Sequence, residues 1–143
     1  MIVIVCIDNN NGMMFNNRRQ SQDCNLRKHI LNLTKDSKLY MNSYSYEQFS
    51  EETNIKNIIV DEDFLNKVSQ KEYCFVENIS LSTYADKIEK IVLYKWNRNY
   101  PSDFKLDINV NEGWNMIYTS EFEGFSHEII TEEIYINDKV ATV

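Results

Sequence analysis

Residues 2–12 read IVIVCIDNNNG. An unbroken apolar run rich in β-branched side chains ends abruptly in polar residues and a glycine. A strand with one face in water alternates apolar and polar residues. This run does not alternate, so it reads as a central strand covered on both faces, with a turn over Asp8–Gly12. Outward from it, Met13 to Gln20 shows no period and reads as irregular. Leu26, Ile30 and Leu33, with Cys24 and Leu31 nearby, recur at helical spacing, so a helix is expected to start at Ser21 or Gln22 with Asp23 in its first turn, where an acid suits the helix dipole. Lys38–Met41 reads as a second strand, and Asn42 or Ser43 caps a short helix carrying Tyr46 and Phe49. Further strands are expected at 57–60, 73–76 and 90–96, with helical turns at 61–68 and 81–85 between them. Pro101 closes the segment after the last of these. Two final strands, 114–120 and 128–136, meet near Gly124, and residues 138–143 are expected to be loose.

Strands alternating with short helices up to residue 85 point to an α/β domain with a mostly parallel sheet flanked by helices. Three late strands without helices between them point to an antiparallel hairpin added at one edge. The chain has 143 residues, 43% of them hydrophobic and 13% aromatic, which suits one domain over 1–143 and excludes a disordered chain. No apolar run approaches the ~20 residues of a spanning helix, and a net charge of -7 repels nucleic-acid phosphate. The apolar start lacks the basic residues of a secretory signal, and Cys6, Cys24 and Cys74 form no C-x-x-C pair. Reduced thiols in a cytoplasmic protein, and no metal site, are therefore expected. Cys24 stands beside an acid, an unpromising place for a nucleophilic thiolate.

Several segments resemble dihydrofolate reductase, in the same order along nearly the whole chain. Ile2–Gly12 is similar to that family's first strand and turn, and Asp23 with Leu26 and Arg27 to its D-L-x-x-F helix. Met41–Glu47 (MNSYSYE) is similar to M-G-R-x-T-[WFY]-E, Lys90–Asp107 to the strand and D-x-x-[FY]-P segment, and Trp114–Phe122 to the tryptophan strand before the last hairpin. The resemblance implies a dihydrofolate-reductase-like fold, a cleft at the C-terminal ends of the parallel strands, and Asp23 as the carboxylate that binds or protonates a pterin. It also implies NADPH, but both phosphate-binding pairs differ. Asn42-Ser43 replaces Gly-Arg, and Glu77-Asn78 replaces Gly-Gly, where the backbone meets the pyrophosphate. Arg18-Arg19-Gln20-Ser21 replaces the Pro-Trp ahead of the helix. The chain also resembles a small bacterial group sharing NGMxFNxRRQSxD, MNxYS, FVEN, WNRxYPxD and FxGxSHExITEExY, whose members are often labelled ribonuclease Z. That label gains nothing from a chain with two histidines, His29 and His127, and no H-x-H-x-D-H cluster.

On this scaffold Asp8, Arg18, Arg19, Gln20, Ser21, Asp23, Asn42, Ser45, Glu77, Asn78, Asn97, Arg98 and His127 could reach the cleft rim. Asp23 is either a ligand or acid carboxylate or an exposed first-turn acid. Arg18-Arg19 either grips an anion or anchors its loop to carboxylates. Asn42 and Ser45 contact a ligand or, the better explanation, cap a helix. Glu77-Asn78 hydrogen-bonds a base or an amide, or holds its turn. For Arg98 a salt bridge is the default. His127 beside Ser126 invites a hydrolase reading, but no orienting acid can be assigned to it, and a satisfied turn histidine is expected. His29 reads as a helix-surface residue. The leading expectation is a small polar or anionic ligand held where Arg18, Asp23 and Glu77 converge, with no cofactor. The alternatives are an NADPH-dependent reductase of a pterin-like or pyrimidine substrate, and a non-enzymatic interaction protein.

Overall fold

In the computed structural model, which describes residues 1–52 and 56–139, the run at 2–7 is strand β1 (Ile2–Ile7) and lies in the interior of the sheet. It pairs in parallel with β6 (Tyr73–Phe75) on one side and β7 (Lys90–Lys95) on the other, Ile2 standing opposite both Tyr73 and Lys90. Beyond β6 come β4 (Leu39–Met41) and the edge strand β5 (Ile58–Val60), also parallel. Beyond β7 come β10 (Ile129–Asn137) and the second edge strand β9 (Trp114–Glu123), both antiparallel. The seven-stranded order is β5-β4-β6-β1-β7-β10-β9, a mostly parallel mixed sheet with a C-terminal antiparallel hairpin, as the sequence implies.

Both faces of β1 are covered because its alternate side chains enter two separate cores. Val3, Val5 and Ile7 pack with Met13, Met14, Tyr40, Phe64, Leu81 and Leu93. Ile2 and Ile4 pack with Leu26 and Ile30 of α1 (Cys24–Leu33), Phe49 of α2 (Ser43–Phe49), Tyr94 and Trp96. Each fully buried aliphatic side chain contributes about 1.5–3 kcal/mol. Helix α1 ends where Thr34 returns its hydroxyl to the Ile30 carbonyl at 2.9 Å, and Asn57 ties the Thr34 and Ser37 carbonyls to the start of β5.

Three expectations are corrected. Met13–Gln20 is not irregular: β2 (Gly12–Phe15) and β3 (Arg18–Arg19) form a hairpin that pairs with β8 (Phe104–Lys105) as a second small sheet. Its turn, Asn16-Asn17, holds both residues at positive φ (51° and 60°), the requirement of a two-residue hairpin turn that asparagine tolerates. Helix α1 starts later than expected, because Asp23 is extended (φ −152°) and serves as its N-cap rather than lying in its first turn. The helical turns expected at 61–68 contract to a 3-10 turn at Phe64–Asn66, whereas the turn expected at 81–85 is present as a 3-10 helix at Ser82–Lys87. Of the tail expected to be loose, Asp138 bonds the Gly113 carbonyl and Lys139 the Asn137 side chain, while residues 140–143 lie outside the described residues. No helix among the described residues is long and apolar enough to cross a membrane.

Ile4 is fully buried between α1 and the sheet. Ile4→Ala is expected to lower the free energy of unfolding in urea by about 2–5 kcal/mol through the cavity it leaves, with an unchanged denaturant slope.

Candidate functional site

The C-terminal ends of β1, β4, β6 and β7 meet the β2–β3 hairpin, the N-termini of α1 and α2, and the β9–β10 turn. At the end of β1, Asp8 is buried. Its carboxylate accepts from the Asn10 and Gly12 N–H groups (2.9 and 2.7 Å), the Tyr100 N–H (3.1 Å) and the Gln20 amide (3.2 Å). Burial pushes its pKa up, but these donors outweigh burial and hold it below the ordinary value. Gly12 is required here, since a Cβ would come within 2.5 Å of the Gln20 amide and 2.7 Å of Ser102. Gln20 gives its other amide hydrogen to the Pro101 carbonyl, and its Oε1 is buried and unpartnered.

At the end of β6, Glu77 takes both prongs of Arg19, Nε at 2.9 Å and Nη2 at 3.2 Å. The same guanidinium donates to the Tyr44 carbonyl (3.1 Å) and lies 4.4 Å over the Tyr44 ring, whose hydroxyl accepts from the Arg19 N–H at 2.7 Å. Arg19 thus anchors its hairpin to a carboxylate. Beneath this lid, between α1 and the sheet, Cys6, Met13, Ser21, Phe75 and Trp96 line a cavity of only ≈ 10 Å³, room for about one water. At the end of β4, Asn42 caps α2 by accepting the Ser45 N–H at 3.0 Å, and its amide donates to Asn78 Oδ1 at 2.9 Å. Ser43 next to it gives its N–H and hydroxyl to Glu62 (2.9 and 2.8 Å). The Ser45 hydroxyl is buried without a partner.

Asp23 is neither exposed nor part of a cleft shared with Arg18 and Glu77, so the expected convergence is corrected. Its carboxylate collects six hydrogen bonds: from the Asn25, Leu26, Phe125 and Ser126 N–H groups, the Ser126 hydroxyl, and His127 Nδ1 at 2.9 Å. Burial raises its pKa, yet the His127 and backbone donors dominate and hold it well below the ordinary carboxylate value. This is the orienting acid that the sequence did not reveal for His127. Since a carboxylate only accepts, Nδ1 carries a proton, and Nε2 lies within hydrogen-bond distance of Ser21 Oγ (2.9 Å) and Tyr100 OH (3.2 Å). Trp96 stacks on the ring at 4.5 Å. The distances are those of a Ser–His–Asp relay. Ser21, which is half-buried, lines the ≈ 10 Å³ cavity, and that cavity admits no acyl group. The three residues instead lock the start of α1 to the β9–β10 turn. Gly124 completes the lock, because a Cβ there would sit 2.5 Å from the His127 carbonyl.

The remaining candidates lie outside the closed cleft. Arg98 donates to the Ser126 carbonyl at 3.2 Å rather than to a carboxylate, and Asn97 bonds Ile129 O and Thr131 Oγ1. His29 is not a free surface residue. It stacks on Phe122 at 4.3 Å and bonds Glu132, which is buried and also accepts from Tyr94. Arg18 is exposed, forms no ion pair among the described residues, and borders a groove of ≈ 500 Å³ with Phe15, Asn16, Gln20, Tyr100 and Pro101. Nothing in the sequence marks Tyr44, Glu62, Trp96 or Tyr100 as partners, because the residues they meet are distant along the chain. No three His, Cys, Asp or Glu side chains among the described residues form a metal-ligand group.

No protein-family model matches the chain, and no curated sequence matches it. Among solved structures it is similar to the dihydrofolate reductase of Enterococcus faecalis complexed with NADP(H) and RAB-propyl. The superposition has a TM-score of 0.66 and covers 96% of this chain and 95% of that one, at 9% identity. The chain has the dihydrofolate reductase fold. An identity this low speaks for the scaffold alone, and what this version of the scaffold does depends on its own side chains.

Asp23→Asn would set amide hydrogens against N–H donors already pointing at that position. It is expected to cost about 3–5 kcal/mol at pH 7, read from urea unfolding. Because the folded pKa is depressed, the wild-type contribution is full above the ordinary value of 3.8 and is lost as pH falls through the folded value. The difference between wild type and variant should therefore narrow below about pH 4. A serine-directed fluorophosphonate is expected to leave Ser21 unmodified in the native protein, as intact mass would show.

Proposed function

We propose that the protein binds a small anionic ligand with a flat apolar portion, in the groove between the β2–β3 hairpin and the Tyr100-Pro101 segment, and uses no nicotinamide cofactor. The observation that carries this reading is Arg18. In a chain of net charge -7, its guanidinium stands exposed at a concave groove without a carboxylate partner among the described residues. Such a guanidinium suits bidentate contact with a carboxylate or phosphate. Phe15, 40% exposed, and the half-buried Tyr100 supply flat apolar surface beside it. The groove's ≈ 500 Å³ lies within the usual range for small-molecule sites.

The similar enzyme was solved with NADP(H), and this chain's residues do not suit that cofactor. A dinucleotide reaching the strand ends would need the Asn42–Asn78 bridge broken and the donors of Ser43 released from Glu62. It would also meet the carboxylate of Glu62, which has no cationic partner among the described residues, whereas that of Glu77 is paired with Arg19. A phosphate charge about 4 Å from Glu62 is opposed by about 4 kcal/mol in a surface-like dielectric. A reductase would further ask Asp23 for a proton, but that group is ionised and already holds six donors.

The test is thermal shift and calorimetry with a panel of aromatic carboxylates and nucleoside monophosphates, and with NADPH. At least one anion is expected to raise the melting temperature, by an amount equivalent to about 2.7 kcal/mol at a hundredfold excess over its Kd. Arg18→Ala should abolish that shift without changing the unliganded melting temperature. Micromolar NADPH binding, or oxidation of NADPH in the presence of dihydrofolate, would overturn the reading.

A further inference from the structure

The sheet ends in two edges of unequal character. Strand β5 is three residues long. Strand β9 runs for ten, and no described strand pairs with its outer side. Over its first seven residues, Trp114 to Ser120, β9 carries no charge, no proline and no glycine. Met116, Ile117 and Tyr118 are each about half exposed, at 51%, 51% and 50%. Edge strands are normally blunted by lysine, proline or shortness, because their unpaired N–H and C=O groups are a template for another strand. The one irregularity here is a bulge at Ile117, which leaves that residue without an opposite number on β10.

From this we propose that two copies of the chain pair through β9, antiparallel about a twofold axis, and extend the sheet across the interface. The charge pattern selects a second copy as the occupant. Each molecule carries -7, so most of the surface repels its like. The uncharged stretch at 114–120 is where that repulsion is absent from direct contact. With the axis at 117, 118 or 119, antiparallel pairing never sets two carboxylates opposite each other. At 118, for example, Glu121 faces Asn115 and Glu123 faces Gly113, while Trp114 faces Phe122. Parallel pairing would stack Glu121 on its own copy. An isologous contact of this kind closes as a dimer and leaves no free β9 edge.

Light scattering of the full chain from about 1 µM to about 1 mM tests the proposal. A rise to twice 17.0 kDa is expected, with the dimer tightening as salt screens the like charges. Hydrogen exchange should slow at the amides of 114–120 as concentration rises. Tyr118→Lys should raise the dimer dissociation constant at least tenfold with an unchanged circular dichroism spectrum. Val60→Lys, on the opposite edge, should leave it as it was. A monomer throughout the range would overturn the proposal. So would a dimer indifferent to Tyr118→Lys, protected elsewhere, or weakened by salt.

Discussion

One carboxylate joins the two halves of this molecule. Asp23 begins the helix that covers the apolar sheet face, and it also receives the N–H groups of the turn that closes the C-terminal hairpin. Without those donors it would be an uncompensated buried charge, and without the carboxylate the turn would hold unpaired N–H groups. Each side of the bargain therefore fixes the other. His127, held between Asp23 and Ser21, extends the same constraint to the loop that enters α1.

The same chemistry recurs along the C-terminal end of the sheet. Asp8 gathers its own turn, Glu77 holds Arg19 on both prongs, and Glu62 engages Ser43. Open parallel sheets usually leave this end for a ligand, since strand ends and helix N-termini converge there. Here those groups satisfy one another, and the space between α1 and the sheet shrinks to about one water. The free cationic group among these residues, Arg18, faces outward. An arginine–glutamate pair locks the hairpin down over the strand ends, and the same hairpin borders the outer groove.

Much of the framework could be read from local sequence. A run as apolar as Ile2–Ile7 must be covered on both faces wherever it lies, and the helical spacing of Leu26 and Ile30 needs a single apolar surface to rest on. The cap at Asn42 is a local property too, because the side chain bonds an N–H three residues on. The Asn16-Asn17 turn is equally local, since two adjacent asparagines can both take the positive φ of a two-residue hairpin turn. The start of α1 is set locally as well, because the Asp23 side chain accepts the N–H groups two and three residues on.

The sequence by itself determined the central strand, the sheet's mostly parallel order, the antiparallel hairpin at its end and the acidic surface, because burial, periodicity and charge act on neighbouring residues. Tertiary structure alone decided which arginine is sequestered and which is free, that His127 has an acid 104 positions away, and that the cleft is shut. Those outcomes rest on hydrogen bonds between side chains brought together only by the crossing of strands, and no spacing along the chain encodes such a meeting.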